Sequence, residues 1–260
     1  MLEIKNLSCS YGNKDVLNDI SLNLGSGDNL CVIGSNGCGK TTLLKTIAGQ
    51  LKYKGSIKLL GKEISDYKSF ELGREIATLS QIANVYFSFS VFDTVMLGRY
   101  VKLPKNAFAK IDKSHSDYVM YCLESVGIAD LKDRQIDTLS GGQMQKVLLA
   151  RALAQEPKII LLDEPSNHLD IKSQMELFTF IRQWSRDKEH SVIGVLHDIG
   201  LALNYFDKAL FLRDGKIVFS GDLKSASQED LEKTYNFDVV KYLTNLNKPL
   251  EEIANVQKQL

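Results

Sequence analysis

Residues 30–49 read LCVIGSNGCGKTTLLKTIAG, and this stretch decides how the chain folds. Its first four residues, Leu30 to Ile33, form a short apolar run that predicts a buried strand. Gly34 to Thr41 then satisfy the pattern G-x-x-x-x-G-K-[ST], and residues 42–48 continue with helical spacing. The sequence therefore predicts a strand, a phosphate-binding loop and a helix in immediate succession.

The loop and the first helical turn supply the predicted phosphate-binding set. Its members are Gly34, Ser35, Asn36, Gly37, Cys38, Gly39, Lys40, Thr41 and Thr42. A helix N-terminus carries unpaired N–H donors and a partial positive charge, so it favours a bound polyphosphate. Lys40 adds a full charge for the β- and γ-phosphates, and the Thr41 hydroxyl is placed to coordinate Mg²⁺. Cys38 is a candidate reactive thiol within the loop.

Composition excludes several other classes of protein. The chain has 260 residues, of which 44% are hydrophobic, and it carries 32 basic and 32 acidic side chains. Zero net charge gives no electrostatic footprint for a nucleic acid, so we expect no nucleic-acid partner. Four cysteines without C-x-x-C spacing predict neither a zinc site nor a disulfide framework, and they fit a reducing cytosol.

The sequence predicts no membrane span. Glu3 and Lys5 interrupt the start of the chain where a signal peptide would need an apolar region. No run of 18 or more apolar residues occurs anywhere, so we expect the chain not to cross a membrane by itself.

Alternating residues predict strands on both sides of the phosphate loop. Residues 2–7 and 16–24 alternate apolar and polar side chains, and Tyr11 lies in the turn between them. Tyr11 either stacks on a purine ring or packs at a strand end. A strand at 55–61 is expected to close the mixed sheet, and a buried strand from residue 76 ends at Gln81. That amide either contacts a metal ion or caps a loop.

Helical spacing replaces this alternation from about residue 90 to residue 154. The segment between Arg99 and Asp117 is expected to be a solvated connection. Just before the third helix lies a second candidate anion site, formed by Ser140, Gly141, Gly142 and Gln143. From these residues alone, a serine and two glycines at a helix start also fit a simple N-cap.

Two later strands end in polar side chains that predict catalytic chemistry. Residues 158–162 are followed by Asp163 and Glu164, and residues 190–196 by His197. Ligands of parallel α/β sheets lie beyond the carboxyl ends of the strands, so Asp163 is expected near the phosphate loop and its Mg²⁺. Glu164 could orient the attacking water, and His197 could contact the γ-phosphate. The alternatives are two solvated acids and a structural histidine.

Shorter signals complete the chain. Residues 166–170 are expected to begin a helix, with Asn167 or His168 near its cap and Asp170 in its first turn. Arg213, Asp214 and Gly215 predict a hairpin turn between two strands. Residues 222–260 are expected to be helical with a polar end.

Together these motifs resemble the ATPase subunit of an ATP-binding cassette (ABC) transporter, from Met1 to about Leu243. The resemblance identifies, in chain order, Tyr11 as the adenine-stacking aromatic, Gly34 to Thr42 as Walker A, Gln81 as the Q-loop residue, Leu139 to Gln143 as the signature, Asp163 as the end of Walker B, Glu164 as the catalytic base, Ser166 to Asp170 as the D-loop, and His197 as the switch histidine. Met144 departs from the basic residue that many relatives carry there, which could alter a contact beside the γ-phosphate.

The resemblance implies an α/β fold. We expect a P-loop NTPase core with a mainly parallel sheet, an N-terminal antiparallel β subdomain and an inserted α-helical subdomain at about 90–154. The ATPase domain would span 1–243 and leave 244–260 as a C-terminal tail. The implied activity is ATP hydrolysis with Lys40, Glu164 and His197 as catalytic residues. Mg²⁺ would be held by Thr41, Gln81 and Asp163.

The resemblance also implies partners and a place in the cell. Two copies would meet head to tail around two ATP molecules, on the cytoplasmic face of the membrane, with two integral membrane permease subunits. An extracytoplasmic substrate-binding protein would act on those subunits. Residues 89–99 and 195–202 resemble ATPases of iron-siderophore, haem and cobalamin importers. The alternatives are a zinc or manganese importer and, further away, a soluble ABC ATPase without a transport role.

Overall fold

The computed structural model describes residues 1–79, 89–103, 112–167, 169–186 and 189–256, with the backbone alone at 247 and 249–256. The strands are β1 (Leu2–Tyr11), β2 (Lys14–Leu24), β3 (Asn29–Gly34), β4 (Lys54–Leu59), β5 (Lys62–Glu63), β6 (Ile76–Leu79), β7 (Ile159–Asp163), β8 (Ser191–Val195), β9 (Lys208–Arg213) and β10 (Lys216–Asp222). The helices are α1 (Lys40–Ile47), α2 (Ser69–Glu75), α3 (Val91–Arg99), α4 (Lys113–Ser125), α5 (Gly141–Ala154), α6 (Ile171–Arg186), α7 (Ile199–Tyr205), α8 (Gln228–Tyr235) and α9 (Val239–Val256).

A mainly parallel sheet forms the centre of the molecule. Its strand order is β10-β9-β3-β8-β7-β6, and only β10 runs antiparallel to its neighbour among these described strands. All six residues of β3 are buried, as expected for a parallel strand covered on both faces. The carboxyl ends of β3, β7 and β8 therefore meet at one edge, which places Gly34, Asp163 and Val195 close together.

An antiparallel sheet of order β2-β1-β4-β5 contains the N-terminal strands. The prediction that the strand at 55–61 closes the mixed sheet is wrong, because this strand (β4) pairs with β1. Ile57 and Leu59 are buried while Lys58 between them is exposed. Such alternation suits an antiparallel sheet with one solvated face. The predicted α/β fold, with an antiparallel sheet beside the parallel core, is confirmed.

Three helices, α3, α4 and α5, pack on one another between β6 and β7 in the chain. Their shared apolar core includes Val95, Cys122 and Val147, which are all almost completely buried. Helix α4 begins at Lys113, four residues before the predicted end of the connection at Asp117, and residues 104–111 of that connection lie outside the described residues. C-terminal to the sheets, α8 and α9 confirm the predicted helical end. Within the described ranges, no helix is both long and apolar enough to cross a bilayer.

Arg99, the last residue of α3, contacts residues of both α4 and α5. Its guanidinium donates to Ala154 O at 2.8 Å and to His115 Nδ1 at 3.2 Å, and it forms an ion pair with Glu156. The same group lies 4.5 Å from the centroid of the Tyr118 ring. Because Arg99 is buried, these contacts replace the water that it loses on folding.

Replacing Arg99 with Ala is expected to lower the free energy of unfolding by about 2 kcal/mol, since it removes several charge-assisted contacts of a buried group. Urea unfolding measures the change. Lys172→Ala is the control, because that side chain is 88% exposed and its only described ion pair is a 3.9 Å pair with Glu176. Equal unfolding midpoints for the two variants would contradict the proposed role of Arg99.

Candidate functional site

The phosphate loop folds around the side chain of Lys40. Helix α1 begins at this residue, directly after Gly39, whose φ of +110° is a left-handed conformation that favours glycine. Lys40 Nζ donates to Gly34 O at 2.7 Å and to Ser35 O at 3.0 Å, and the side chain is buried. A positive charge thus lies at the helix N-terminus, where an anion is already favoured.

Thr41 and Asp163 form a pair of oxygen ligands beside this charge. The Thr41 hydroxyl donates to Asp163 Oδ1 at 3.0 Å, although 122 positions separate the two residues. Burial raises the pKa of Asp163, and the hydrogen bond from Thr41 opposes that rise without cancelling it. A hydroxyl and a carboxylate are ligands that Mg²⁺ accepts together with phosphate oxygens, so the two residues fit a magnesium site.

Glu164 and His197 come together at the same edge of the sheet. Glu164 Oε1 lies 2.5 Å from His197 Nε2, and Glu164 Oε2 accepts from Asn167 Nδ2 at 2.7 Å. The φ of Glu164 is +51°, which turns the chain sharply where β7 ends. Burial would raise the pKa of this carboxyl, but the hydrogen bonds from His197 and Asn167 outweigh burial, and the pKa is lowered. A carboxylate held in this way can accept a proton from water.

Asn167 was predicted as a helix cap and as part of the D-loop, but its contact with Glu164 was not predicted. The structure places its amide on the proposed base instead. The available signal was its position three residues after Glu164, in a tight turn where Asn167 N also donates to Glu164 O at 3.3 Å.

The second predicted anion site begins α5. Ser140 Oγ accepts from Gln143 N at 3.3 Å, and Gln143 Oε1 accepts from Ser140 N at 3.0 Å, which together make a capping box. The N-cap reading of Ser140 is therefore confirmed, and its role toward phosphate stays a prediction. A β-carbon at Gly142 would come within 2.6 Å of Ser173 Oγ. Gly142 therefore packs directly against Ser173, in the first turn of α6.

A family model described as ABC transporter matches residues 17–167. This chain belongs to the ABC transporter family. The ferric enterobactin transport ATP-binding protein FepC of Escherichia coli (strain K12) is 36% identical over 231 residues, covering 88% of this chain and 84% of FepC. The hemin import ATP-binding protein HmuV of Bartonella quintana (strain Toulouse) is 34% identical over 245 residues, covering 91% of each chain.

A solved structure agrees with the sequence relatives. The dimeric post-hydrolysis state of the ATP-binding cassette MJ0796, bound to ADP and Pi, superposes with a TM-score of 0.75 at 26% identity. The superposition covers 87% of this chain and 100% of that one. The chain is thus an ABC ATPase, an enzyme of a family that hydrolyses ATP and works as dimers with membrane permease subunits.

The side chains of Cys38 and Met144, in or beside the ABC motifs, are both buried. Cys38 is 3% exposed and lies against Gly34, and burial raises the pKa of its thiol, so it is not a reactive surface cysteine. Met144 is 7% exposed and packs in the core shared by α3, α4 and α5. An apolar side chain suits this buried position, and its effect on a contact beside the γ-phosphate stays a prediction.

The helix after the D-loop begins later than predicted. Helix α6 starts at Ile171, and Asp170 precedes it instead of lying in its first turn. The Asp170 carboxylate accepts from Ser173 N at 2.8 Å and from Ser173 Oγ at 3.0 Å, which makes Asp170 the N-cap in place of Asn167. His168, the other predicted cap residue, lies outside the described residues. The resemblance to the family also implies that Asp170 of the D-loop contributes to nucleotide binding, and that role stays a prediction.

Tyr11 and Gln81 are the two remaining predicted residues of the ABC motifs. Tyr11 lies at the end of β1 and its side chain is 48% exposed, so it is not the packed residue of the alternative reading. Stacking of its ring on adenine stays a prediction. Gln81 lies outside the described residues.

Proposed function

We propose that this chain binds MgATP at the edge of its parallel sheet and that hydrolysis there drives an importer of an iron complex. The observation that carries the proposal is the convergence of Lys40 with two functional pairs, Thr41 with Asp163 and Glu164 with His197. Lys40 would hold the β- and γ-phosphates, and Mg²⁺ bound at Thr41 and Asp163 would neutralise charge on the transferred phosphoryl group. Gln81 would be a further ligand of the metal.

In the proposed reaction, Glu164 orients the attacking water and accepts its proton. Its hydrogen bonds to His197 and Asn167 fix the carboxylate, and His197 would also sense the γ-phosphate. The backbone N–H groups of residues 34–42 would hold the triphosphate, with Tyr11 stacking on adenine.

We further propose that the working site is shared between two copies. Each chain has one Walker A loop and one signature, and the resemblance implies that Ser140 to Gln143 of one copy face the ATP held by the other. The start of α5 offers N–H groups and a helix dipole to that phosphate. The Asp170 carboxylate accepts a hydrogen bond from Ser173, and Ser173 contacts Gly142. Asp170 therefore lies close to the same proposed interface. Hydrolysis would remove the bridging phosphate and let the copies separate.

The membrane subunits are proposed to dock beside the helices of residues 90–154, with the chain peripheral on the cytoplasmic side. A groove of about 930 Å³ lies between α1, the antiparallel sheet and α2, and it is lined by Leu51, Tyr53, Tyr67 and Leu72 among others. Leu97 on the neighbouring α3 and Tyr100 directly after that helix are 43% and 53% exposed. A groove lined by both polar and apolar side chains, with exposed aromatic and aliphatic neighbours, suits a short amphipathic helix of a partner.

The proposed division of the chain follows these roles. Residues 1–243 would be the ATPase domain, residues 90–154 its helical subdomain, and residues 244–260 a C-terminal tail. The cargo class is inferred from FepC and HmuV, whose names specify ferric enterobactin and hemin. Iron-siderophore and haem complexes are therefore proposed before zinc or manganese, while cobalamin is proposed only from the resemblance of residues 89–99 and 195–202. An extracytoplasmic binding protein would deliver the cargo.

Uptake by cells that lack this chain tests the function. We expect loss of uptake of radiolabelled ferric siderophore, haem or cobalamin, restored by the wild-type chain but not by Glu164→Gln. Zinc and manganese uptake are measured in parallel. Loss of metal-ion uptake alone would replace the proposed cargo by the alternative, and unchanged uptake of every compound would favour a soluble ABC ATPase.

A pull-down from detergent-solubilised membranes tests the partner independently. The wild-type chain is expected to retain a polytopic membrane protein, and Leu97→Glu with Tyr100→Glu is expected to lose it. Glu229→Gln on α8 is the matched surface control, since its side chain is 73% exposed. Retention of the same protein by all three chains would contradict docking at α3.

A further inference from the structure

The turn between β9 and β10 contacts the phosphate loop from behind. From sequence alone, this turn is only a hairpin signal. Asp214 and Gly215 have φ values of +50° and +74°, as in the two-residue turns that suit a twisted hairpin. Gly215 N donates to Cys38 O at 3.1 Å, and Gly215 O accepts from Asn18 N at 2.8 Å. Both backbone polar groups of one residue thus join the phosphate loop to β2.

The space around Gly215 excludes any side chain. A β-carbon there would lie 2.2 Å from Val16 O, which is less than any real β-carbon contact. The same part of β2 also touches the phosphate loop, because a β-carbon at Gly39 would lie 3.1 Å from Val16 O and 2.7 Å from Leu17 Cδ2. The turn, β2 and the loop therefore meet at the Val16 carbonyl, and none of the three can shift alone.

The β9 strand holds the other end of the loop. A β-carbon at Gly34 would lie 2.3 Å from Leu212 O, so the backbones of β3 and β9 approach closely where the loop begins. The turn itself is fixed to α8, because Arg213 Nη1 donates to Lys233 O at 2.6 Å. One hairpin thus constrains the phosphate loop at Gly34 and at Cys38, the two ends of its curve.

We propose that Gly215 is a positioning residue for nucleotide binding. It holds the Cys38 carbonyl, and with it the curvature of the phosphate loop, and it fixes the spacing between that loop and the hairpin that carries Tyr11. Gly215 does not touch the nucleotide, so it acts on the free energy of binding through the loop. The inference rests on the proposed function in that the loop is taken to be the site of MgATP.

The test compares Gly215→Ala with Gly61→Ala. Gly61 has a φ of +83° and nothing within 4 Å of its β-carbon position, so alanine there is strained in the same way but displaces no neighbour. Both variants are expected to unfold at lower urea concentration. Only Gly215→Ala is expected to raise the Kd of MgATP, by about tenfold, with a larger change in KM than in kcat, because the loop is misplaced rather than missing.

A second pair of variants protects the test against poor folding of Gly215→Ala. Asn tolerates a left-handed φ better than Ala does, so Gly215→Asn and Gly61→Asn keep the steric difference and lessen the backbone strain. Equal Kd values within both pairs, with wild-type protein binding MgATP, would overturn the role of Gly215. Absence of MgATP binding by the wild-type protein would instead overturn the proposed function.

Discussion

Replacing Glu164 with Gln is expected to lower ATP turnover by about 100-fold or more while leaving MgATP bound. The amide has nearly the same shape as the carboxylate, but it cannot accept the proton of the attacking water, and removal of a general base costs about 10²- to 10⁴-fold. Because bound ATP then persists, the variant is expected to accumulate as an ATP-bound dimer. Phosphate release measures turnover, and size-exclusion chromatography with MgATP measures the dimer.

The control for Glu164→Gln is a carboxylate at the opposite end of the parallel sheet. Glu189 lies just before β8 and forms an ion pair with Lys158 at 2.8 Å, so Glu189→Gln changes the net charge equally without touching the site. Its turnover is expected to match that of the wild-type protein. Turnover by Glu164→Gln at the wild-type rate would remove Glu164 from the role of base.

Local pattern was sufficient to predict the phosphate loop because every part of it is contiguous in the chain. The apolar run, the loop and the helix of residues 30–49 each depend on neighbours within a few positions, and β3 and α1 lie where they were predicted. Asp163 was placed near Thr41 by a general rule about parallel sheets. The rule needs only that both residues follow core strands.

Contacts that depend on strand order could not be predicted in this way. Glu164 reaches His197 because β7 and β8 are neighbours in the sheet, and nothing local to either residue specifies that pairing. The position of β4 beside β1 is non-local in the same sense. The burial of Cys38 and Met144 could not be predicted for another reason: the direction of a side chain at a loop or helix start depends on what packs beneath it.

The variants Lys40→Ala and Ser140→Asp are each expected to lose ATP turnover when assayed alone. Mixing the two variants is expected to restore part of that turnover. Lys40→Ala removes the charge that faces the phosphates, and Ser140→Asp places a negative charge at the start of α5. Aspartate is as good an N-cap as serine, so the second variant keeps the helix while repelling phosphate. Each variant alone is expected to lose turnover by about 100-fold, as for other groups that stabilise charge on a transferred phosphoryl group.

Recovery in the mixture follows from head-to-tail pairing. In an equal mixture half of the dimers contain one chain of each kind, and each of these dimers has one site built from an intact Lys40 and an intact Ser140. About a quarter of all sites are then complete, so turnover is expected to recover to about a quarter of the wild-type value. A site contained within one chain predicts no recovery, since each chain carries one defect.

The matched control separates recovery from any general effect of mixing. Lys40→Ala is combined with a chain that carries both Lys40→Ala and Ser140→Asp, so the only difference from the first mixture is the missing Lys40 of the second chain. No complete site can form, and turnover is expected to stay at the level of the single variants. Recovery in this control, or its absence from the first mixture, would contradict a site shared between two copies, because shared sites require that Lys40 of one chain and Ser140 of the other act on the same phosphate.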